Sequence, residues 1–224
     1  MRKKIDYDIL EDTSFEYVNE RAEVVIVGIT PGNSQINKSE GLVDSKEYKR
    51  AYAFSGTTMR KNIIAMLDFI HVNDLLGIET CKSLWADDFD KVEMTSLLKR
   101  PTYMVSEGGE NDKKEMFNDV SRIFENDKLK EEFERGFKYD CSLYSNAKLY
   151  VACGKGVYEV LQQLQSDGTI SRYAKVVAIA HPSGQNCGGV GCYLGKEDNA
   201  YIWGIRSSKE AKAVVSELCG TVNG

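Results

Sequence analysis

An α/β fold in three layers, α/β/α around a central, mainly parallel four-stranded sheet, follows from three observations. Val24 to Ile29 is an unbroken run of β-branched residues and one glycine that stops at Thr30-Pro31-Gly32. Runs of this kind suit a strand buried on both faces. Leu149 to Cys153 repeats the pattern, turns at Gly154-Lys155-Gly156, and passes into Val157, Val160, Leu161 and Leu164 at helical spacing. Val176 to Ala180 is a third run, ending at His181-Pro182-Ser183. Strands that alternate with helices imply a parallel sheet covered on both faces.

The remaining elements are read in chain order. Helices are predicted from Thr57 to Phe69, with Met59, Ile63, Met66, Leu67 and Ile70 on one face, and from Ser207 to Leu218. A weaker strand covers Lys91 to Ser96. Glu107 to Glu134 holds ten acidic and five basic residues around Met116, Val120, Ile123 and Phe124, and reads as an acidic, solvated helical insertion at about 107–135. Five glycines between Gly184 and Gly195 predict a flexible loop. The whole chain, 1–224, reads as one domain.

Composition narrows the function. With 42 % hydrophobic and 28 % charged residues the chain is globular. A net charge of −5 excludes a histone-like coat on nucleic acid. That charge equals the excess in Glu107 to Glu134, whereas Ser45 to Asn62 carries Lys46, Lys49, Arg50, Arg60 and Lys61 against Glu47 alone, a basic strip. Two histidines, His71 and His181, rule out His-rich metal centres, and His71 reads as a cap at a helix end. No run approaches the ~20 apolar residues of a membrane span, and the first residues lack a signal-peptide core, so no membrane partner and a cytoplasmic setting are expected. The six cysteines form no CxxC pair and are expected to be reduced. Cys187 and Cys192 are two ligands without a partner pair, so neither a metal nor any other cofactor is expected.

Ligands of parallel sheets bind beyond the carboxyl ends of the strands. That rule places Thr30-Pro31-Gly32, Thr95-Ser96 and His181-Pro182-Ser183 on one rim. Taken singly, Gly28 to Gly32 is a turn and His181-Pro182 a strand end. Taken together, Gly28-x-Thr30-Pro31-Gly32, Phe54-Ser55-Gly56, Thr95 ahead of Lys99-Arg100-Pro101, and His181-Pro182-Ser183 resemble the uracil-DNA glycosylase superfamily in content and order. The resemblance spans residues 24 to about 190.

The resemblance implies a metal-free hydrolysis of the N-glycosidic bond of a pyrimidine flipped out of DNA. Ile29, Phe54 and Thr95 would bind the base. Phe54 is either its stacking platform or a core residue beside Tyr52. His181, as a neutral imidazole, would donate to the pyrimidine oxygen that gathers charge. Pro31, Gly32, Ser55, Ser183 and Gly184 would clamp phosphates, and Gln185 or Asn186 would fill the gap in the stack. Two positions depart from the family. Thr30 stands where a carboxylate or amide usually aligns the water, so Thr30 or a loop carboxylate such as Asp44 or Glu40 would take that part. Thr95 stands where an Asn usually reads uracil. Both exchanges free volume and point to a modified or bulky base, for example in invading phage DNA. Two other readings stay open, a non-catalytic reader of modified DNA and an enzyme acting on free nucleosides. A monomer is expected.

Overall fold

A computed structural model of the chain describes residues 5–36, 45–56, 58–106, 113–197 and 202–222. In chain order the strands are β1 (Ile5–Ile9), β2 (Val24–Gly28), β3 (Val92–Ser96), β4 (Thr102–Ser106), β5 (Lys113–Met116), β6 (Leu149–Cys153) and β7 (Lys175–Ile179). The α-helices are α1 (Ser45–Tyr52), α2 (Met59–Phe69), α3 (Val72–Leu76), α4 (Asp127–Phe133), α5 (Lys155–Ser166), α6 (Cys187–Tyr193) and α7 (Ile202–Val222). Single turns of 3-10 helix join several of them, and α4 runs on into a π-helical turn, Glu134–Lys138.

The main sheet is parallel throughout, in the order β3-β2-β6-β7. Its core alternates along β2. Val24 and Ile26 face a layer that includes Tyr48, Ile63, Leu67, Tyr193 and Val215, from α1, α2, α6 and α7. Val25 and Val27 face Leu129, Phe133, Phe137, Val157 and Leu161, from α4, the π-turn and α5. Coverage on both faces is why β2 tolerates five consecutive buried residues. Gly28 pairs with Ser96 and Cys153 with Ile179, so the four carboxyl ends form one rim.

Two expectations are corrected. The acidic insertion is only partly helical: most of its charged residues are exposed as expected, but its apolar face is buried and one end is a strand. Lys113–Met116 forms β5, which joins β4 and β1 in a separate antiparallel sheet, and 107–112 lie outside the described residues. Backbone pairing with β4 overrides the helical spacing there. Val120, Ile123, Leu129 and Phe133 are then buried and build the second helical layer, while Phe124 is 51 % exposed. The glycine-rich stretch is not a loop. It forms α6, anchored where the buried Tyr193 hydroxyl donates to the Ala178 carbonyl at 2.9 Å. Its glycines serve close approach, because a Cβ at Gly189 would fall 2.4 Å from Asn186 Oδ1. His71 lies between α2 and α3 at φ +66°, its ring 3.0 Å from the exposed Asp74 carboxylate. Among the described residues no helix is long and apolar enough to cross a membrane.

Candidate functional site

The rim is built around a missing side chain. A Cβ at Gly28 would lie 3.0 Å from Phe54 Cε1 and 3.3 Å from Ser96 Oγ, so only glycine lets the Phe54 ring lie across the end of β2. Phe54 itself adopts φ +51°, a conformation that strains any residue with a Cβ. The strain persists because the carbonyl just before it is fixed. Ala53 O accepts from Trp85 Nε1 and from Arg60 Nη2, both at 2.9 Å.

Phe54, Thr95, Pro31, Gln35, Phe15 and Lys99 are among the residues lining a narrow cavity of about 10 Å³, room for about one water molecule. Thr95 therefore opens no large pocket; Phe15 and Met94 also line this space and leave little of it free. The Thr95 hydroxyl makes no hydrogen bond among the described residues, and the residue is 6 % exposed. Gln35 was not anticipated from the sequence. Its Oε1 accepts the Gly32 amide at 2.8 Å, which fixes the orientation of the carboxamide and leaves its NH2 as an uncommitted donor among the described residues. Lys99, which the sequence marks only as the first residue of the Lys99-Arg100-Pro101 turn, lines the slot as well. Its stem lies against Gly136 of the π-turn, where a Cβ would be 3.3 Å away, and its ammonium pairs with Asp140.

His181 ends β7 on the far side of the rim. Gly154, at φ +102°, faces it, with a hypothetical Cβ 3.4 Å from His181 Cβ and 3.5 Å from Cδ2. Burial holds its imidazole below the ordinary histidine range, so the ring is neutral near pH 7. The cavity beside Thr95 does not reach His181 or Ile29. Ile29 is half-buried, and its carbonyl accepts the Leu98 amide at 2.9 Å.

The loops expected to hold phosphates are tied to one another. Ser34 Oγ donates to Ser55 O, and Ser55 Oγ donates to Ser34 O at 2.9 Å. Pro182 O accepts from Asn62 Nδ2 of α2 at 3.0 Å, and Gly184 lies beside Thr58. Pro31, Gly32, Ser55, Ser183 and Gly184 thus lie on loops tied together or to α2, although the Gly32 amide and both donors of Ser55 are already engaged. Asn186 donates to His181 O at 2.9 Å and serves the turn, while Gln185 is exposed.

Thr30 has a structural task. Its hydroxyl donates to Arg100 O at 3.0 Å and accepts the Thr102 amide at 3.1 Å, pinning β2 to the start of β4. Asp44 and Glu40 lie outside the described residues. No carboxylate lines the cavity among the described residues. Nor do three His, Cys, Asp or Glu side chains converge there as a metal site.

The basic strip of the sequence is rearranged in space. Lys49 is buried against Glu93, which also accepts the Asn19 amide at 2.7 Å. Lys46 pairs with Asp90 and Arg50 with Glu47. Arg60 and Lys61 are the members of the strip without a carboxylate partner among the described residues.

These features define an α/β/α protein with a narrow, aromatic-lined slot at the carboxyl rim of a parallel sheet. No family model and no solved structure matches the chain. It is 24 % identical over 184 residues to the uncharacterized protein YoxB of Bacillus subtilis (strain 168), across 76 % of this chain and 68 % of that one.

Proposed function

We propose that the protein is a DNA glycosylase that flips a pyrimidine nucleotide and hydrolyses its N-glycosidic bond, acting as a monomer in the cytoplasm. The observation that carries this reading is the half-buried His181 at the end of β7, on the same carboxyl rim as the Phe54 ring and the Thr95 hydroxyl. The extruded base stacks on Phe54, an interaction worth ~1–3 kcal/mol. Its edge meets Thr95 and the free Gln35 NH2. His181 donates to the pyrimidine oxygen as the C1′–N1 bond breaks and its electron pair passes to the base. Water then bonds to C1′ and loses its proton to solvent, while the DNA phosphates stabilise the sugar cation. The slot is narrower than a pyrimidine ring and stops short of His181, so entry of the base must open it toward the end of β7. A single Thr95 hydroxyl in place of a paired donor and acceptor favours a base other than plain uracil, including the modified bases of phage DNA.

One observation favours a second reading, a non-catalytic reader of modified DNA. Thr30 is committed to backbone groups, and no described carboxylate is present to place a water. Duplexes holding uracil, a thymine mismatch or a bulky modified cytosine, treated with protein and then alkali, separate the two. Strand scission that His181→Ala abolishes supports the glycosylase; tight binding without scission across the panel supports the reader.

A further inference from the structure

Beside the slot, on the other side of Ser55 and Gly56, lies a groove of about 580 Å³ lined by Arg60, Lys61, Ile64, Thr80 and Lys82. Its three cations come from two separate segments, the first turns of α2 and the 3-10 turn Cys81–Trp85. Lys61 and Lys82 are exposed, and neither ammonium makes an ion pair or a hydrogen bond among the described residues. Arg60 lies over the Trp85 ring at 5.1 Å and binds backbone carbonyls through Nη2. Its Nε is buried without a partner, and it has no carboxylate neighbour among the described residues. Three uncompensated positive charges around an apolar floor complement a chain of phosphates joined by sugars.

We infer that this groove holds the DNA strand flanking the flipped nucleotide, with Lys61 and Lys82 on successive phosphates and Ile64 beneath a sugar. The inference rests on the glycosylase reading for the direction of the strand, since Ser55 and Gly56 belong to both the groove and the loop that carries Phe54. It also explains the charge distribution. The basic residues of α1 are spent on carboxylates, and the cation that completes the track, Lys82, lies twenty residues beyond the strip that the sequence marks.

Fluorescence anisotropy with a labelled single-stranded oligonucleotide of ordinary bases tests this without any excision step. Lys61→Glu with Lys82→Glu should weaken binding at least tenfold. The pair should also lower the slope of log K against log salt by about 1.4, at ~0.7 per phosphate contact on single strands. Lys130→Glu, on α4 at the opposite face of the sheet, is the control and should change affinity less than twofold. Equal affinity of wild type and double variant, equal loss in the control, or binding of free nucleotide but not of oligonucleotide overturns the proposal. If scission fails with every base while the double variant still loses its binding, the glycosylase reading falls and the groove stands.

Discussion

Gly28 and Phe54 are fitted to each other: the ring of one occupies the space where a side chain on the other would begin, at 3.0 Å. Gly28→Ala should push the ring off the end of β2. We expect a loss of stability of about 1–3 kcal/mol, as for other overpacked sites, seen as a lower urea midpoint. On the glycosylase reading, excision should fall further than that loss explains, because the ring on which the base would stack moves.

Phe54→Leu keeps apolar volume but removes the stacking face. On the glycosylase reading, binding to DNA with an extrudable base should weaken roughly 5- to 150-fold, the equivalent of ~1–3 kcal/mol. Affinity for ordinary duplex should change little. Competition binding with the two duplexes measures the difference, and equal losses on both would return Phe54 to a core role.

His181→Asn should lower the excision rate by ~10²–10³-fold, the usual loss for one donor to a developing oxyanion. The pH dependence has a definite sign. The unfolded ring takes up a proton near 6.5, whereas burial delays protonation of the folded ring to lower pH. Acid therefore favours the unfolded chain, and stability should decline as pH falls below about 6.5. Denaturation midpoints across that range should fall less in His181→Asn than in wild type.

Lys49 and Glu93 are each 1 % exposed and bound to one another. Burial pulls the lysine pKa down, and Glu93 opposes the shift. Lys49→Met leaves a buried carboxylate without its cation and should cost about 3–5 kcal/mol; Lys49→Met with Glu93→Leu should recover most of that. A double-mutant cycle in urea measures the coupling.

Thr30→Val removes two part-buried hydrogen bonds to the backbone at Arg100 and Thr102. A loss of about 1–3 kcal/mol is expected. Activity per folded molecule should stay within threefold of wild type; a collapse of kcat in the stable fraction would make Thr30 the water-placing group after all.

The main sheet was legible because its strands are covered on both faces, which leaves unbroken runs such as Val24 to Val27. β1 was missed although Ile5-Asp6-Tyr7-Asp8-Ile9 alternates at the period of a strand, and β5 was read as helix. β1 pairs with a distant segment, Ile9 with Thr102, which local spacing does not show, and β5 turns back on the preceding strand, Tyr103 with Met116, against its helical spacing. The rim loops were legible from their proline, glycine and serine signatures. What the sequence did not reveal was where polar groups are spent: Thr30 on backbone, Lys49 on Glu93, Lys99 on Asp140, and Gln35 beside the slot. Those depend on neighbours 44 to 72 positions away for Lys49 and Thr30. No window along the chain contains them.

β5 forms one margin of the small antiparallel sheet, where a row of backbone groups would ordinarily invite another strand. Three of its four residues, Lys113, Lys114 and Glu115, are charged and exposed, and Lys114 folds back to Asp8. A strand arriving from another molecule would have to strip water from those charges. The same lysine-bearing segment that completes the sheet thus blunts its open margin against pairing with another chain.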